Sequence, residues 1–110
     1  EKPVVRNAFL LGGAVGGGEK DYNGWVKATE SISGKIYNCY SESDDVLKYM
    51  YKCASGGISI PIGYAPIFGN HPKIFDFDCT ALVSGHSVWK ENFGNILNQL
   101  RDDWGADIES

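Results

Sequence analysis

KIYNCYSESDDVL, residues 35 to 47, is an apolar stretch that runs into a cluster of acids and then restarts as an apolar pattern. KIYNCYS reads as a strand. Asp44 and Asp45 suit the start of a helix, where carboxylates accept the unpaired N–H groups of the first turn. Val46, Leu47, Met50 and Cys53 then line one face of that helix, and Gly56 and Gly57 end it. In an α/β protein a carboxylate at such a strand-to-helix turn can orient a catalytic histidine.

Working outward, VVRNAFLL at 4 to 11 is a short apolar run ending at Gly12 and Gly13, and its length and β-branching favour a buried strand. A glycine-rich turn follows. From Asp21 to Ile32, Trp25, Ala28 and Ile32 fall at helical spacing, with Gly34 where a C-terminal cap would stand and Gly24 weakening the interior. Residues 56 to 72 carry Pro61, Pro66 and Pro72 among several glycines and read as a long irregular loop, a kind that is usually functional or disordered. KIFDFDCT alternates, with Phe75, Phe77 and Cys79 on one face and Asp76 and Asp78 on the other, as expected of a strand near a sheet edge. Trp89, Phe93, Ile96, Leu97, Leu100 and Trp104 form one face of a long helix that Gly105 stops. This order predicts an α/β fold of about three mostly parallel strands with packed helices and right-handed crossovers.

The 110 residues are read as a single domain, with 43% apolar, 22% charged and 13% aromatic residues, a balance that argues against disorder. The net charge is −4 and the basic residues are scattered, which argues against nucleic acid as a partner because phosphate binding needs a basic stripe. No apolar run approaches the roughly 18 residues of a transmembrane segment, and the start lacks the layout of a signal peptide. Cys39, Cys53 and Cys79 are widely spaced in apolar surroundings without metal-binding spacing, so they are expected to be buried reduced thiols in a reducing compartment. The expected location is the cytoplasm, with any membrane association supplied by other parts of a longer protein.

GGAVGGG invites a phosphate-binding reading, but neither G-x-G-x-x-G nor G-x-x-x-x-G-K-[ST] occurs, and a flexible turn is favoured. Asp44 and Asp45 can be helix caps and nothing more. In α/β-hydrolases, however, the order is nucleophile, acid, histidine, with the acid after a late strand and the histidine after the last. Asp44 follows a strand, and His86 follows the last one within VSGHSVW, with room for a helix and a strand between them. His71, before Pro72 in the irregular loop, is expected at the surface. A G-x-S-x-G elbow is absent, Ser84 and Ser87 flank the histidine too closely in the chain for triad geometry, and Ser41 and Ser43 read as turn residues.

AFLLGGAV at 8 to 15, Trp25 with SGK at 33 to 35, YNCYSESDDVLKYMYKCAS at 37 to 55 and SGH at 84 to 86 resemble the C-terminal half of the domain-of-unknown-function 726 family. That family comprises α/β-hydrolase-like proteins, among them the transmembrane and coiled-coil domain-containing proteins. The resemblance covers most of residues 7 to 100, and YSESDDVLKYMY is its strongest piece. It implies a partial α/β-hydrolase fold and a Ser-Asp-His hydrolase, esterase- or lipase-like, whose serine lies upstream of Glu1. By position the family acid falls on Asp44 and the histidine on His86. The chain departs from the family pattern twice, with GGGEKD where a proline is expected after LLGGAV, and Asp45 where an aromatic residue is expected after the acid. Asp44 and Asp45 therefore both stay open as the acid.

The leading expectation is the acid- and histidine-bearing part of a serine hydrolase, inactive as an isolated chain, needing no cofactor or metal and acting in the full protein on an ester or lipid. Its partner would be the upstream half of the same protein, or a second copy recruited to an exposed sheet edge. The alternatives are a non-enzymatic α/β interaction module, in which SESDD only caps a helix and His86 only packs, and a degenerate hydrolase that binds without turnover.

Overall fold

Three parallel strands form one sheet in chain order, β1 (Ala8–Leu11), β2 (Ile36–Tyr40) and β3 (Ile74–Asp78), in a computed structural model that describes residues 6–53 and 60–104. Ala8, Ile36 and Ile74 are in register at the start, and Leu11, Cys39 and Phe77 at the end. All three strands therefore exit on one side of the sheet, where ligands of open α/β sheets bind. α1 (Tyr22–Thr29) joins β1 to β2, α2 (Asp45–Cys53) joins β2 to β3, and α3 (Phe93–Trp104) follows β3.

The central strand β2 is buried along Ile36, Tyr37, Asn38 and Cys39, as a parallel strand covered on both faces must be. On one face Phe9, Tyr37 and Phe75 stack across the sheet, with ring centroids 5.0 and 5.7 Å apart. Cys39, Phe77, Cys79, Val83, Trp89, Ile96 and Leu100 complete this core beneath α3. Its burial is the main driving force for the fold. On the other face the fully buried Asn38 donates through Nδ2 to the Ile62 carbonyl at 2.9 Å and to Asp76 Oδ1 at 3.0 Å. Asp76 Oδ1 also accepts the Ile67 N–H at 2.9 Å. The polar side of KIFDFDCT thus pins the proline-rich segment across the sheet.

That segment and the glycine-rich turn are joined to each other. Gly63 N–H donates to Gly13 O at 2.8 Å, Ile62 N–H to Val15 O at 2.9 Å and Gly17 N–H to Ile60 O at 2.9 Å. The approach is so close that a Cβ on Gly63 would meet the Gly12 carbonyl carbon at 2.3 Å. The glycines serve backbone contact between two loops, and the Trp25 indole N–H fastens the first loop to α1 through Gly16 O at 3.0 Å.

Four sequence expectations change in detail. The first helix ends at Thr29, short of Ile32, where the backbone tightens into bonds from Glu30 N–H to Lys27 O and from Ser31 N–H to Ala28 O; the Lys73 ammonium then binds the carbonyls of Thr29 and Ile32 at 2.8 and 2.9 Å. Gly34 instead donates its N–H to Arg6 O. Among the described side chains of the expected face on α2, Leu47 alone is buried, while Val46 and Met50 are 44% and 41% exposed. Trp89 precedes α3, which begins at Phe93 after two 3-10 turns, and Phe93 is itself exposed. Val4, Val5, the Cys53 side chain, the Gly56–Gly57 stop, Trp104 as a packing residue and Gly105 lie outside what is described.

Cys39 and Cys79 are free and buried, as expected. The hydrogen bond between the two thiols, and then burial, push the Cys39 thiol far above the ordinary thiol range. Cys39 is therefore inert at neutral pH, since the thiolate is the reactive form.

Candidate active site

The turn after β2 begins with Ser41, whose buried hydroxyl donates to Val83 O at 2.7 Å and accepts the Ser43 N–H at 3.1 Å. This bond ties the turn after β2 to the segment after β3. Asp44 follows as the N-cap of α2, its Oδ1 accepting the Leu47 N–H at 3.0 Å. The side chain is completely buried, and its second oxygen accepts two donors, His86 Nδ1 at 2.8 Å and Trp89 Nε1 at 2.9 Å.

Asp45 points the other way. Its exposed Oδ1 accepts the His86 backbone N–H at 3.0 Å. That bond, foremost among several backbone contacts, holds the Asp45 carboxyl below the usual aspartate range. The adjacent aspartates divide the work on one residue, Asp44 fixing the His86 ring and Asp45 fixing its backbone. Of the two candidates for the acid, Asp44 is the one in contact with the ring.

Where Asp44 is ionised it only accepts hydrogen bonds, so the proton it shares with His86 sits on Nδ1, and a neutral ring then presents the lone pair of Nε2. The His86 side chain is 41% exposed, whereas Asp44 is fully buried. Ser84 and Ser87 are exposed on the neighbouring turn. Among the described residues no serine hydroxyl is hydrogen-bonded to the ring. His71 is elsewhere engaged, its Nδ1 accepting the Lys73 N–H at 3.0 Å. Beside Trp89 an apolar cleft of about 460 Å³ is lined by Leu11, Trp89, Lys90 and Phe93. No group of three His, Cys, Asp or Glu among the described residues is arranged to hold a metal ion.

Trp89 and Asp45 are the site contacts that the sequence reading missed. A signal for Trp89 exists: an indole N–H placed in a core needs an acceptor, and this tryptophan stands three residues after the histidine. Asp45, by sequence either a helix cap or the acid, instead holds the His86 backbone N–H.

The sequence pattern of a protein family of unknown function, DUF726, matches residues 1–103. The chain belongs to this family. It is 33% identical over 97 residues to an uncharacterized membrane protein of Schizosaccharomyces pombe, and 29% identical over 98 residues to one of Caenorhabditis elegans, covering 88% of this chain in each case. It is also 32% identical over 75 residues, 68% of its length, to a Saccharomyces cerevisiae protein named probable lipase MIL1. The aligned segment spans 12%, 15% and 7% of those three relatives. No solved structure matches the chain. The first two of these relatives are called membrane proteins, while no helix among the described residues here is long and apolar enough to cross a membrane.

Proposed function

We propose that this chain supplies the acid and base of a serine hydrolase acting on acyl esters, with Asp44 as the acid and His86 as the base, the nucleophile coming from other parts of the full-length protein. The observation that carries the proposal is the 2.8 Å contact between His86 Nδ1 and a fully buried carboxylate at the strand-exit side of a parallel sheet. In such a pair the imidazole takes the serine proton through Nε2 and returns it to the leaving alkoxide. The carboxylate keeps the proton on Nδ1 and stabilises the imidazolium. The relative named a probable lipase supports an ester of a lipid as the substrate class. Membrane association would then come from parts of the protein outside this chain, with the domain described here in the cytoplasm.

The test is hydrolysis of a short acyl ester by the full-length protein. His86→Ala removes the proton acceptor and is expected to abolish most turnover. Asp44→Asn is expected to do the same, since the amide favours the wrong tautomer, with the double variant scarcely worse than His86→Ala alone. Asparagine also sets one NH₂ against either the Leu47 N–H or the two ring donors, an unmet buried group costing about 1–3 kcal/mol of stability. Rates must therefore be normalised to folded protein. Residues 1–110 alone should not turn over. Full turnover in both single variants would leave Asp44 as a helix cap and the chain as an interaction module. Binding of the ester without turnover by the unaltered protein would mark a degenerate hydrolase.

A further inference from the structure

Trp89 does more than fill the core. Its indole N–H and the His86 ring share one oxygen of Asp44, at 2.9 and 2.8 Å, while the other oxygen is held by the Leu47 N–H at 3.0 Å. Three donors in fixed directions leave the carboxylate no rotation. The indole N–H only donates and does not titrate, so unlike a hydroxyl it cannot reverse its bond when the histidine gains a proton. The ring is itself held: it is 7% exposed and lies over Gly12, where φ is +64° and an alanine Cβ would meet Nε1 at 2.6 Å. Trp89 thus touches the exits of β1 and β2 from a segment that follows β3.

We infer that Trp89 is a positioning residue for the acid–histidine pair, aiming the shared Asp44 oxygen at His86 and drawing off part of the charge it offers the ring. This rests on the proposed reading of the pair as acid and base. Without the indole donor the buried oxygen has His86 as its one strong partner, and in a low-dielectric site it holds the imidazolium more firmly. The base then stays protonated to higher pH.

The experiment compares full-length protein with Trp89→Phe and with site-specific replacement of Trp89 by benzothienylalanine, which keeps the fused ring and substitutes sulfur for the N–H. The pH dependence of kcat/KM for p-nitrophenyl butyrate is measured, with His86→Ala as reference. His86→Ala should abolish turnover. Both Trp89 replacements should lower kcat/KM by about tenfold, the worth of one hydrogen bond to a charged group, chiefly through kcat. They should also move the acidic limb of the profile to higher pH. If Trp89→Phe fails to fold, the ring-preserving replacement decides. An unchanged limb in a folded replacement would overturn the inference and leave Trp89 a packing residue. Full turnover in His86→Ala would remove the acid–base reading, and the positioning role with it.

Discussion

At the residue scale, Asp44 and Asp45 have the same chemistry and opposite surroundings. Asp44 is enclosed with three donors on two oxygens, whereas Asp45 lies in solvent with the His86 N–H on one of its oxygens. Because that contact depresses the Asp45 carboxyl, its stabilising effect is complete above the ordinary aspartate value of about 3.9 and is lost as pH falls through the lower folded value. Asp45→Ala should therefore be less stable than the unaltered chain by a constant margin near neutral pH, and the margin should shrink on acidification below the ordinary aspartate range. Urea unfolding at a series of pH values measures it. A margin that persists undiminished into strong acid would mean that the His86 contact contributes nothing. Asp45→Ala should also reduce turnover of the full protein less than Asp44→Asn does, because it loosens the histidine's backbone and leaves the ring's partner in place.

At the scale of elements, glycines with similar sequence surroundings carry different constraints. Gly24 lies inside α1 with open space around it, so Gly24→Ala should stabilise the chain by about 0.5–1 kcal/mol through helix propensity alone. Gly63 lies where its Cβ would be 2.3 and 2.5 Å from the Gly12 and Gly13 backbone. Gly63→Ala must part the two loops, and a loss of about 1–3 kcal/mol is expected. Thermal unfolding of the two variants should move in opposite directions. Both kinds of element bury less than their pattern suggests, for β1, expected as a buried strand, is half-buried along all four residues at the edge of the described sheet. α2 buries Leu47 while Tyr49 is 70% exposed and Met50 41%, so helical spacing identified the helix and overstated its buried face.

At the scale of the molecule, the described sheet ends at β1 on one side and β3 on the other, and α2 shows Val46, Tyr49 and Met50 to solvent. Uncovered strand edges and apolar helix faces recruit other chains. Residues 1–110 by themselves are therefore expected to self-associate at micromolar concentration, and a strictly monomeric species in sedimentation would count against it. The fold class and its order of elements were readable along the chain, because a buried strand and an amphipathic helix each write a periodicity that needs no distant partner. The pairing of Asp44 with His86 was readable only as a candidate, through their order after successive strands and through a family resemblance. Which aspartate meets the ring was decided by tertiary structure: one peptide unit separates them, and the path of the turn sends Asp44 inward and Asp45 outward. The same holds for the Trp89 N–H on Asp44, for Asn38 and Asp76 beneath the proline-rich segment, and for the glycine-rich turn zipped to Ile62 and Gly63. Local sequence sets period and composition, whereas a hydrogen bond across some forty residues depends on where two loops come to rest on the same sheet.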